Sequence, residues 1–216
     1  MDKRNPGAID YFDRRIDDFD SIYNAEKGGL RGWIDRTLRA SVRQRLTLAF
    51  EKLGDLHGKS VLDIGCGTGR YMFEAVRHGS SDVIGIDAAV GAIESAQKLA
   101  DKLGYSEKVK FLQADFMDYD PGRKFDILFA VGYFDYILDP ALHLQKMRNI
   151  GSDVLYASFP KVWHPMTPVR KTRLALNGCP VRFYSQGKIQ RLATDAGWTN
   201  FEILSVARDY ILICKK

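Results

Sequence analysis

Residues 61–69 read VLDIGCGTG and combine a strand pattern with a glycine-rich loop. It begins as a short apolar strand that a single acid, Asp63, interrupts. It then has glycine at every second position: Gly65, Gly67 and Gly69. Alternating glycines between a strand and a helix leave the backbone bare, so a ligand can lie directly against it. We expect the helix to begin after the last glycine, with its free N–H groups and the positive end of its dipole facing that ligand.

The glycine pattern differs from two common nucleotide-binding loops. A dinucleotide fingerprint has glycine at the sixth position, where this chain has Arg70, and the Gly-Lys-Ser/Thr ending of a P-loop is absent. The acid at Asp63 is unfavourable beside a pyrophosphate but suits a ligand with a positive amino group. The stretch resembles the first motif of the class I S-adenosylmethionine (SAM) methyltransferases: an apolar strand, an acid, an apolar residue and Gly-x-Gly-x-Gly. A plain nucleotide-type α/β domain is the alternative.

Two further apolar runs end in residues to which the resemblance gives a role. Val83–Ile86 is followed by Asp87, at the strand end where a ribose is held through its hydroxyls. Val109–Leu112 is followed after two residues by Asp115 and Phe116. The resemblance implies that Asp115 hydrogen-bonds the adenine amino group and that Phe116 covers the ring.

The whole chain alternates strand and helix patterns, which predicts an α/β fold. The apolar runs predict strands at 60–64, 83–86, 109–112, 125–131, 154–159, 201–206 and 210–214. The resemblance implies a Rossmann-like, seven-stranded, mostly parallel sheet with an antiparallel last strand and helices on both faces. We expect three regions: an N-terminal helical lid or cap (1–55), a SAM-binding methyltransferase core (56–216), and within the core a basic insert on the substrate side (160–184).

Two helices are predicted ahead of the first strand, because apolar residues recur at helical spacing over 8–23 and 33–53. In the family such segments fold over the cofactor. The resemblance therefore makes Tyr23 and Arg43 candidate cofactor contacts and Tyr11 a candidate substrate contact. The arginines of the second helix have two other interpretations, a solvated face or a basic face resting on an acidic membrane.

The methyl acceptor is expected beyond the fourth and fifth strands, because the first three strand ends are occupied by SAM. The resemblance places the fourth strand end, at Val131, beside the methionine part of SAM. A hydroxyl acceptor needs a general base, for which the candidates are His164 first, then Asp135 and Tyr133. A carboxylate or amine acceptor needs no strong base, and His164 is then only a pocket residue.

The positive charge of the chain is concentrated in one window. Residues 154–194 hold seven Lys and Arg and no Asp or Glu, so the rest of the chain carries −2 of the net +5. Such asymmetry predicts an anionic partner, and a solvated basic surface is the alternative. The candidate substrate contacts in this window are Trp163, Arg170, Arg173 and Arg182.

These patterns predict a SAM-dependent methyltransferase that acts on oxygen or nitrogen of a small, anionic metabolite and leaves S-adenosylhomocysteine (SAH). A finer likeness, over 11–23 and from Phe183 onward, is to tetrapyrrole and quinone O-methyltransferases, and the chain resembles sugar and antibiotic methyltransferases to an equal degree. One alternative is an RNA methyltransferase whose basic window holds phosphates, although no Asn/Asp-Pro-Pro-Tyr tetrad follows the fourth strand. Another is a SAM-binding sensor that transfers no methyl group.

The composition predicts a cytoplasmic protein. Hydrophobic residues make up 45% of the chain, no apolar run approaches the ~20 residues of a membrane helix, and the opening MDKRNPGAIDYF lacks the apolar core of a signal peptide. The three cysteines show no metal-ligand spacing, so we expect no metal. We expect no stable membrane insertion either, and the sequence leaves both a monomer and a homodimer open.

Overall fold

A computed structural model describes residues 29–164, 167, 171, 172, 175, 179 and 181–216, with the backbone alone for 29–39 and 152. The elements in chain order are α1 (Gly29–Leu53), β1 (Ser60–Ile64), α2 (Arg70–Arg77), β2 (Asp82–Asp87), α3 (Val90–Leu103), β3 (Val109–Gln113), β4 (Phe125–Ala130), α4 (Pro140–Ile150), β5 (Gly151–Pro160), α5 (Gln186–Asp195), β6 (Asn200–Val206) and β7 (Asp209–Lys215).

The strands form one seven-stranded sheet in the order β3-β2-β1-β4-β5-β7-β6. The first five pair in parallel, and β7 runs antiparallel to both of its neighbours. Because both faces of a parallel sheet are covered by helices, β1 and β4 are almost entirely buried, as their apolar runs indicate. The predicted fold is confirmed.

The boundaries of the elements follow local signals in the sequence. Asp139 caps α4 by accepting a hydrogen bond from the backbone N–H of Leu142, and Pro140 occupies the first helical position. Ser185 caps α5 in the same way. Strand β5 begins three residues before its predicted start, because Gly151 pairs with Phe125 ahead of a register shift in β4.

Helices cover the sheet on both sides. The faces of α1, α2 and α3 bury one apolar cluster against it, in which Phe50 of α1 lies 5.7 Å from Phe129 of β4 between ring centroids. On the other side, α4 and α5 bury a second cluster that includes Leu144 and Ile189. The two layers hold the sheet rigidly, and with it the strand ends that carry the predicted site.

Helix α1 is also attached to the sheet by polar contacts. The guanidinium of Arg45 lies 3.1 Å from the Asp209 carboxylate at the start of β7, and both side chains are largely buried. The Tyr156 hydroxyl donates to the Arg45 carbonyl at 2.9 Å. A solvated arginine face is therefore wrong for Arg45, whereas Arg43 is exposed.

Two predicted helices fall mainly outside the described residues. The helix at 8–23 lies wholly outside them. The sequence also predicts a helix around 169–176, inside the basic insert, and of this segment Lys171, Thr172 and Ala175 are described and helical. The division into lid and core stays a prediction. In the part of the chain that the structure describes, no helix is long and apolar enough to cross a membrane.

Candidate active site

The carboxyl ends of four neighbouring parallel strands, β3, β2, β1 and β4, meet at one edge of the sheet. In a doubly wound sheet this edge is where ligands bind, at the point where the strand order reverses. Here β1 is that point, since the chain passes from β1 outward to β2 and β3 and then returns to β4 on its other side. The glycine loop follows β1 directly.

The glycine loop is built of left-handed backbone that only glycine adopts without strain. Gly65 has φ +70° and Gly67 has φ +53°. The amides of Gly65 and Cys66 both donate to the Ile86 carbonyl, at 2.9 and 3.0 Å, which anchors the loop to the end of β2. A side-chain carbon built on Gly65 would lie 2.8 Å from Cδ2 of Tyr133, so this ring packs directly on the bare backbone.

Asp87, at the end of β2, ties the loop to its neighbouring strand. Its Oδ2 accepts a hydrogen bond from the Gly67 amide at 2.9 Å, and its Oδ1 accepts one from the Ala89 amide at 3.0 Å. The carboxylate predicted to hold a ribose is therefore held in place from both sides. The hydrogen bond from Gly67 thus couples the orientation of this carboxylate to the conformation of the glycine loop.

Asp63 is an unusual acid, because its side chain is buried inside the strand that precedes the loop. Burial, and secondarily the nearby charge of Asp87, raise its pKa from 3.8 to about 8. A positive group placed beside Asp63 would favour its ionised form. The same surroundings raise the pKa of the buried Cys66 thiol, first through burial and then through Asp63 and Asp87, so this cysteine stays protonated.

Asp115 and Phe116 form a turn after β3. Oδ1 of Asp115 accepts a hydrogen bond from the Met117 amide at 2.8 Å, which shapes the turn. The Phe116 ring is buried and meets the Tyr133 ring edge to face, with centroids 6.2 Å apart. Phe116 and Tyr133 thus form one aromatic wall beside the glycine loop.

The Tyr133 hydroxyl is hydrogen-bonded to Nδ1 of His143 at 2.7 Å. Burial raises the pKa of Tyr133 strongly, and the charges of Asp115 and Asp87 add to this, so the phenol keeps its proton. The ring of the next residue, Phe134, packs edge to face on Tyr133 at 5.5 Å between centroids and stacks on Phe159 inside the core at 4.4 Å.

Asp135 is also buried, and its neighbours are Arg182 and Tyr184. Its carbonyl accepts a hydrogen bond from the Arg182 amide at 2.8 Å, and its charge helps to raise the pKa of Tyr184, after burial. The Arg182 side chain is exposed. The structure therefore brings the predicted catalytic Asp135 and the predicted substrate-binding Arg182 together through the backbone.

The segment after β5 is hydrogen-bonded to the chain just ahead of α5. The Val162 amide donates to the Tyr184 carbonyl at 2.9 Å, and Trp163 beside it is 86% exposed, so its ring is directed into solvent. His164 is half-buried, and burial, then Arg208 and Lys161, lower its pKa. His164 is thus under the electrostatic influence of Arg208 and Lys161, which the Asp209 carboxylate partly offsets.

Of the remaining residues predicted to contact the cofactor or the acceptor, the structure describes two. Val131 is half-buried at the end of β4 and packs against the cluster under α1, and Arg43 is exposed on α1. Tyr11, Tyr23, Arg170 and Arg173 lie outside the described residues. Within the described ranges, no group of three or more His, Cys, Asp or Glu side chains is arranged to hold a metal ion.

Sequence reasoning missed four polar residues near the site: His143, Lys146, Arg208 and Asp209. The last two adjoin the turn between β6 and β7, and β7 lies beside β5 only in the folded sheet. His143 and Lys146 lie three residues apart on α4, a spacing that is typical of one helix face. The spacing indicates that the two side chains share a helix face, but it does not indicate which residues that face contacts.

Comparisons with known proteins agree with this geometry. A family model described as a methyltransferase domain matches residues 55–197. The chain is 27% identical over 159 residues to malonyl-[acyl-carrier protein] O-methyltransferase 1 of Ilyobacter polytropus, covering 71% of this chain and 56% of that protein. It is 30% identical over 98 residues to the tRNA U34 carboxymethyltransferase of Alteromonas mediterranea, covering 44% and 30% respectively. The matches therefore span between about a third and just over half of these relatives' own lengths.

Solved structures show the same fold over nearly the whole chain. Magnesium protoporphyrin IX methyltransferase from Synechocystis PCC 6803, crystallised with SAH, has a TM-score of 0.75 at 19% identity and covers 96% of this chain and 97% of its own. The [4+2]-cyclase SpnF has a TM-score of 0.73 at 15% identity and covers 100% and 97%. At these identities the likeness is one of fold alone.

Proposed function

Because the chain belongs to the class I SAM-dependent methyltransferase family, whose domain model matches residues 55–197, we propose that it transfers a methyl group from SAM to oxygen or nitrogen of a small, anionic acceptor. The observation that carries this proposal is the set of three acids around a left-handed glycine loop. Asp63, Asp87 and Asp115 lie at the ends of β1, β2 and beyond β3, three neighbouring strands.

The residues present fit this cofactor. Asp87, held by the amides of Gly67 and Ala89, is positioned to bind ribose hydroxyls. Asp115 and the buried Phe116 offer an acceptor for the adenine amino group and a cover for its ring. The buried Asp63, whose pKa is raised to about 8, would be converted to its ionised form by the positive amino group of a ligand. We also propose residues 1–55 as the lid over this site.

When bound, SAM supplies a methyl group that its sulfonium has already activated, so the protein has to align the acceptor and exclude water. For a hydroxyl acceptor we propose His164 as the general base. Its lowered pKa keeps the imidazole neutral and able to accept a proton near pH 7. Tyr133 keeps its own proton and is hydrogen-bonded to His143, so it is better suited to lining the site than to acting as a base.

An anionic acceptor is supported by the distribution of charge. Exposed cations, Lys171 and Arg182, lie in the segment that follows β5, and the cations Lys161 and Arg208 adjoin His164. Guanidinium and ammonium groups around an acceptor pocket bind carboxylate or phosphate groups by charge-assisted hydrogen bonds. Asp63, Asp87 and Asp115 lie instead at the ends of β1 to β3, so the cationic cofactor and the anionic acceptor would be bound by groups of opposite charge.

The test begins with calorimetric titration of the protein with SAM and SAH, followed by labelled methyl transfer to pools of carboxylated metabolites. We expect micromolar binding of both ligands and label in a small acid. No binding of either ligand refutes the cofactor assignment. Binding without transfer to any pool indicates a SAM-binding sensor. Label that enters RNA, with affinity that falls steeply with salt, indicates the RNA methyltransferase alternative.

The acceptor side is tested by comparing Arg182→Glu with Arg191→Glu. Both positions are exposed arginines of the basic window, but Arg191 lies on α5 and its Nε donates to the Gly187 carbonyl. We expect Arg182→Glu to raise the acceptor KM about tenfold or more, the loss of a charged hydrogen bond, with unchanged SAH affinity. Arg191→Glu should change neither. Equal effects of the two variants would contradict an acceptor role for Arg182.

A further inference from the structure

Helix α4 directs two side chains at the aromatic wall of the cofactor site. His143 and Lys146 lie three residues apart and thus on one face of the helix. The Lys146 ammonium lies 5.1 Å from the centroid of the Phe116 ring, and the His143 ring lies 5.9 Å from the same ring. Both side chains therefore contact the aromatic wall from α4.

Lys146 holds the backbone of the turn that carries Asp115 and Phe116. Its Nζ donates hydrogen bonds to the carbonyls of Met117, at 2.9 Å, and Tyr119, at 2.7 Å. These carbonyls belong to the same turn that the Asp115 carboxylate closes through the Met117 amide. A cation that binds two carbonyls and covers the adjoining ring fixes the direction of the whole turn.

His143 holds the other half of the wall. Its Nδ1 forms the 2.7 Å hydrogen bond with the Tyr133 hydroxyl, and the imidazole is itself buried. The Tyr133 ring in turn packs on Gly65 and on Phe116. The position of this ring above the glycine loop therefore depends on a partner that lies outside the loop.

We propose that Lys146 and His143 are positioning residues that set the adenine selectivity and the affinity of the SAM site. Lys146 orients Asp115 toward the adenine amino group, and His143 keeps the Tyr133 ring packed on the glycine loop. The inference rests on the proposed function, because it presumes that the adenosyl group binds beside Phe116. Neither residue touches the reacting atoms.

The first test replaces Lys146 by methionine, which keeps an unbranched apolar stem over Phe116 but removes the ammonium. The probes are SAH and S-inosylhomocysteine, in which a carbonyl oxygen replaces the adenine amino group, and the readout is the ratio of their calorimetric Kd values. We expect wild type to prefer SAH about tenfold, the usual effect of one mispaired polar group. In Lys146→Met the preference should fall to near unity and the Kd for SAH should rise about tenfold.

Lys188→Met is the matched control, because the Lys188 ammonium also lies over a buried tyrosine ring, that of Tyr184, at 5.0 Å. This variant should keep the wild-type preference. Lys146→Arg restores a cation with several donors and should recover part of the selectivity. A Lys146→Met protein that binds both probes more weakly but with an unchanged ratio overturns the assignment, since a merely structural defect has that outcome.

The second test is a double-mutant cycle on SAH affinity with His143→Leu and Tyr133→Phe. His143→Leu leaves a buried hydroxyl without its partner, so we expect the Kd for SAH to rise about tenfold. In the Tyr133→Phe background, His143→Leu should raise the Kd for SAH less than about threefold, because the hydrogen bond between these two residues is already absent. Additive effects in the cycle refute the role of His143.

These outcomes are distinguishable from failure of the proposed function. If wild type binds no SAH, the cofactor assignment is wrong and this inference falls with it. If wild type binds SAH, but Lys146→Met leaves the Kd ratio of the two probes unchanged and the His143/Tyr133 cycle is additive, only this inference is wrong. The melting temperature of each ligand-free variant is recorded as well, and a variant that melts below the assay temperature is replaced by Lys146→Leu, which also removes the ammonium, or by His143→Met, which also removes the imidazole.

Discussion

The contact between Gly65 and Tyr133 can be measured by adding one methyl group. Alanine in left-handed backbone costs roughly 1 to 2 kcal/mol, of which about 0.4 to 1 kcal/mol is recovered because the unfolded chain is stiffer. The net backbone cost applies at both Gly65 and Gly67, whose φ values are +70° and +53°. Only at Gly65 does the new carbon meet a ring atom of Tyr133, at 2.8 Å, whereas at Gly67 nothing lies within 4 Å.

The difference in the free energy of unfolding between Gly65→Ala and Gly67→Ala therefore measures the steric cost of the contact with Tyr133. Carbon atoms pack best at ~3.5–4.0 Å, and shifting an overpacked ring costs about 1 to 3 kcal/mol. We expect the free energy of unfolding of Gly65→Ala to lie about 2 kcal/mol below that of Gly67→Ala. For a chain of this size that corresponds to about 4 to 8 °C in melting temperature.

The assay is urea denaturation of the ligand-free proteins, with equal m-values required for the comparison. Adding Tyr133→Ala to Gly65→Ala should remove the excess destabilisation, because the two sites are in contact and their effects are not additive. Equal stability of Gly65→Ala and Gly67→Ala would mean that Tyr133 is not held on the glycine loop.

Three further predictions follow from the acids of the fold. Because the folded pKa of Asp63 is raised from 3.8 to about 8, the unfolded chain loses this proton first. The free energy of unfolding should fall with rising pH between those values, and Asp63→Asn should abolish that dependence in melting curves taken across the range. Removing one partner of the buried Arg45–Asp209 pair by Asp209→Asn should cost about 3 kcal/mol or more in urea denaturation. Glu202→Gln, which breaks an exposed ion pair, should cost less than about 1 kcal/mol. Asp87→Ala should weaken SAH binding about thirtyfold or more in calorimetry, because the anchored carboxylate is lost together with its bond to the glycine loop. Unchanged affinity would remove its ribose role.

The sequence predicted the elements well wherever the signal is local. Apolar runs located every strand to within about three residues, and the caps at Asp139 and Ser185 marked the starts of two helices. Buried parallel strands leave such runs because both of their faces are covered. The glycine loop was predictable for a similar reason, since left-handed backbone at Gly65 and Gly67 restricts the residue type.

The contacts that organise the site were not predictable, because they join distant parts of the chain. Nothing in the spacing of Arg45 distinguishes it from the exposed Arg43, yet its partner Asp209 lies at the other end of the chain. Lys146 looks like any surface lysine of a helix, but its ammonium binds two carbonyls of the turn after β3. Pairings of this kind depend on tertiary packing and leave no periodic pattern in the sequence.

The central position of β1 also determines when the site forms during folding. Its partner β4 follows much later in the chain, and Ser60 and Asp126, which are 66 residues apart, exchange hydrogen bonds that join the two strands. Closing so long a loop has a large entropic cost and slows folding. Tyr133 follows β4, so a nascent chain that has released only β1 to β3 from the ribosome has the glycine loop without its aromatic cover. The acids and glycines proposed to hold the cofactor, all within residues 63–115, are therefore synthesised before the ring that packs on Gly65.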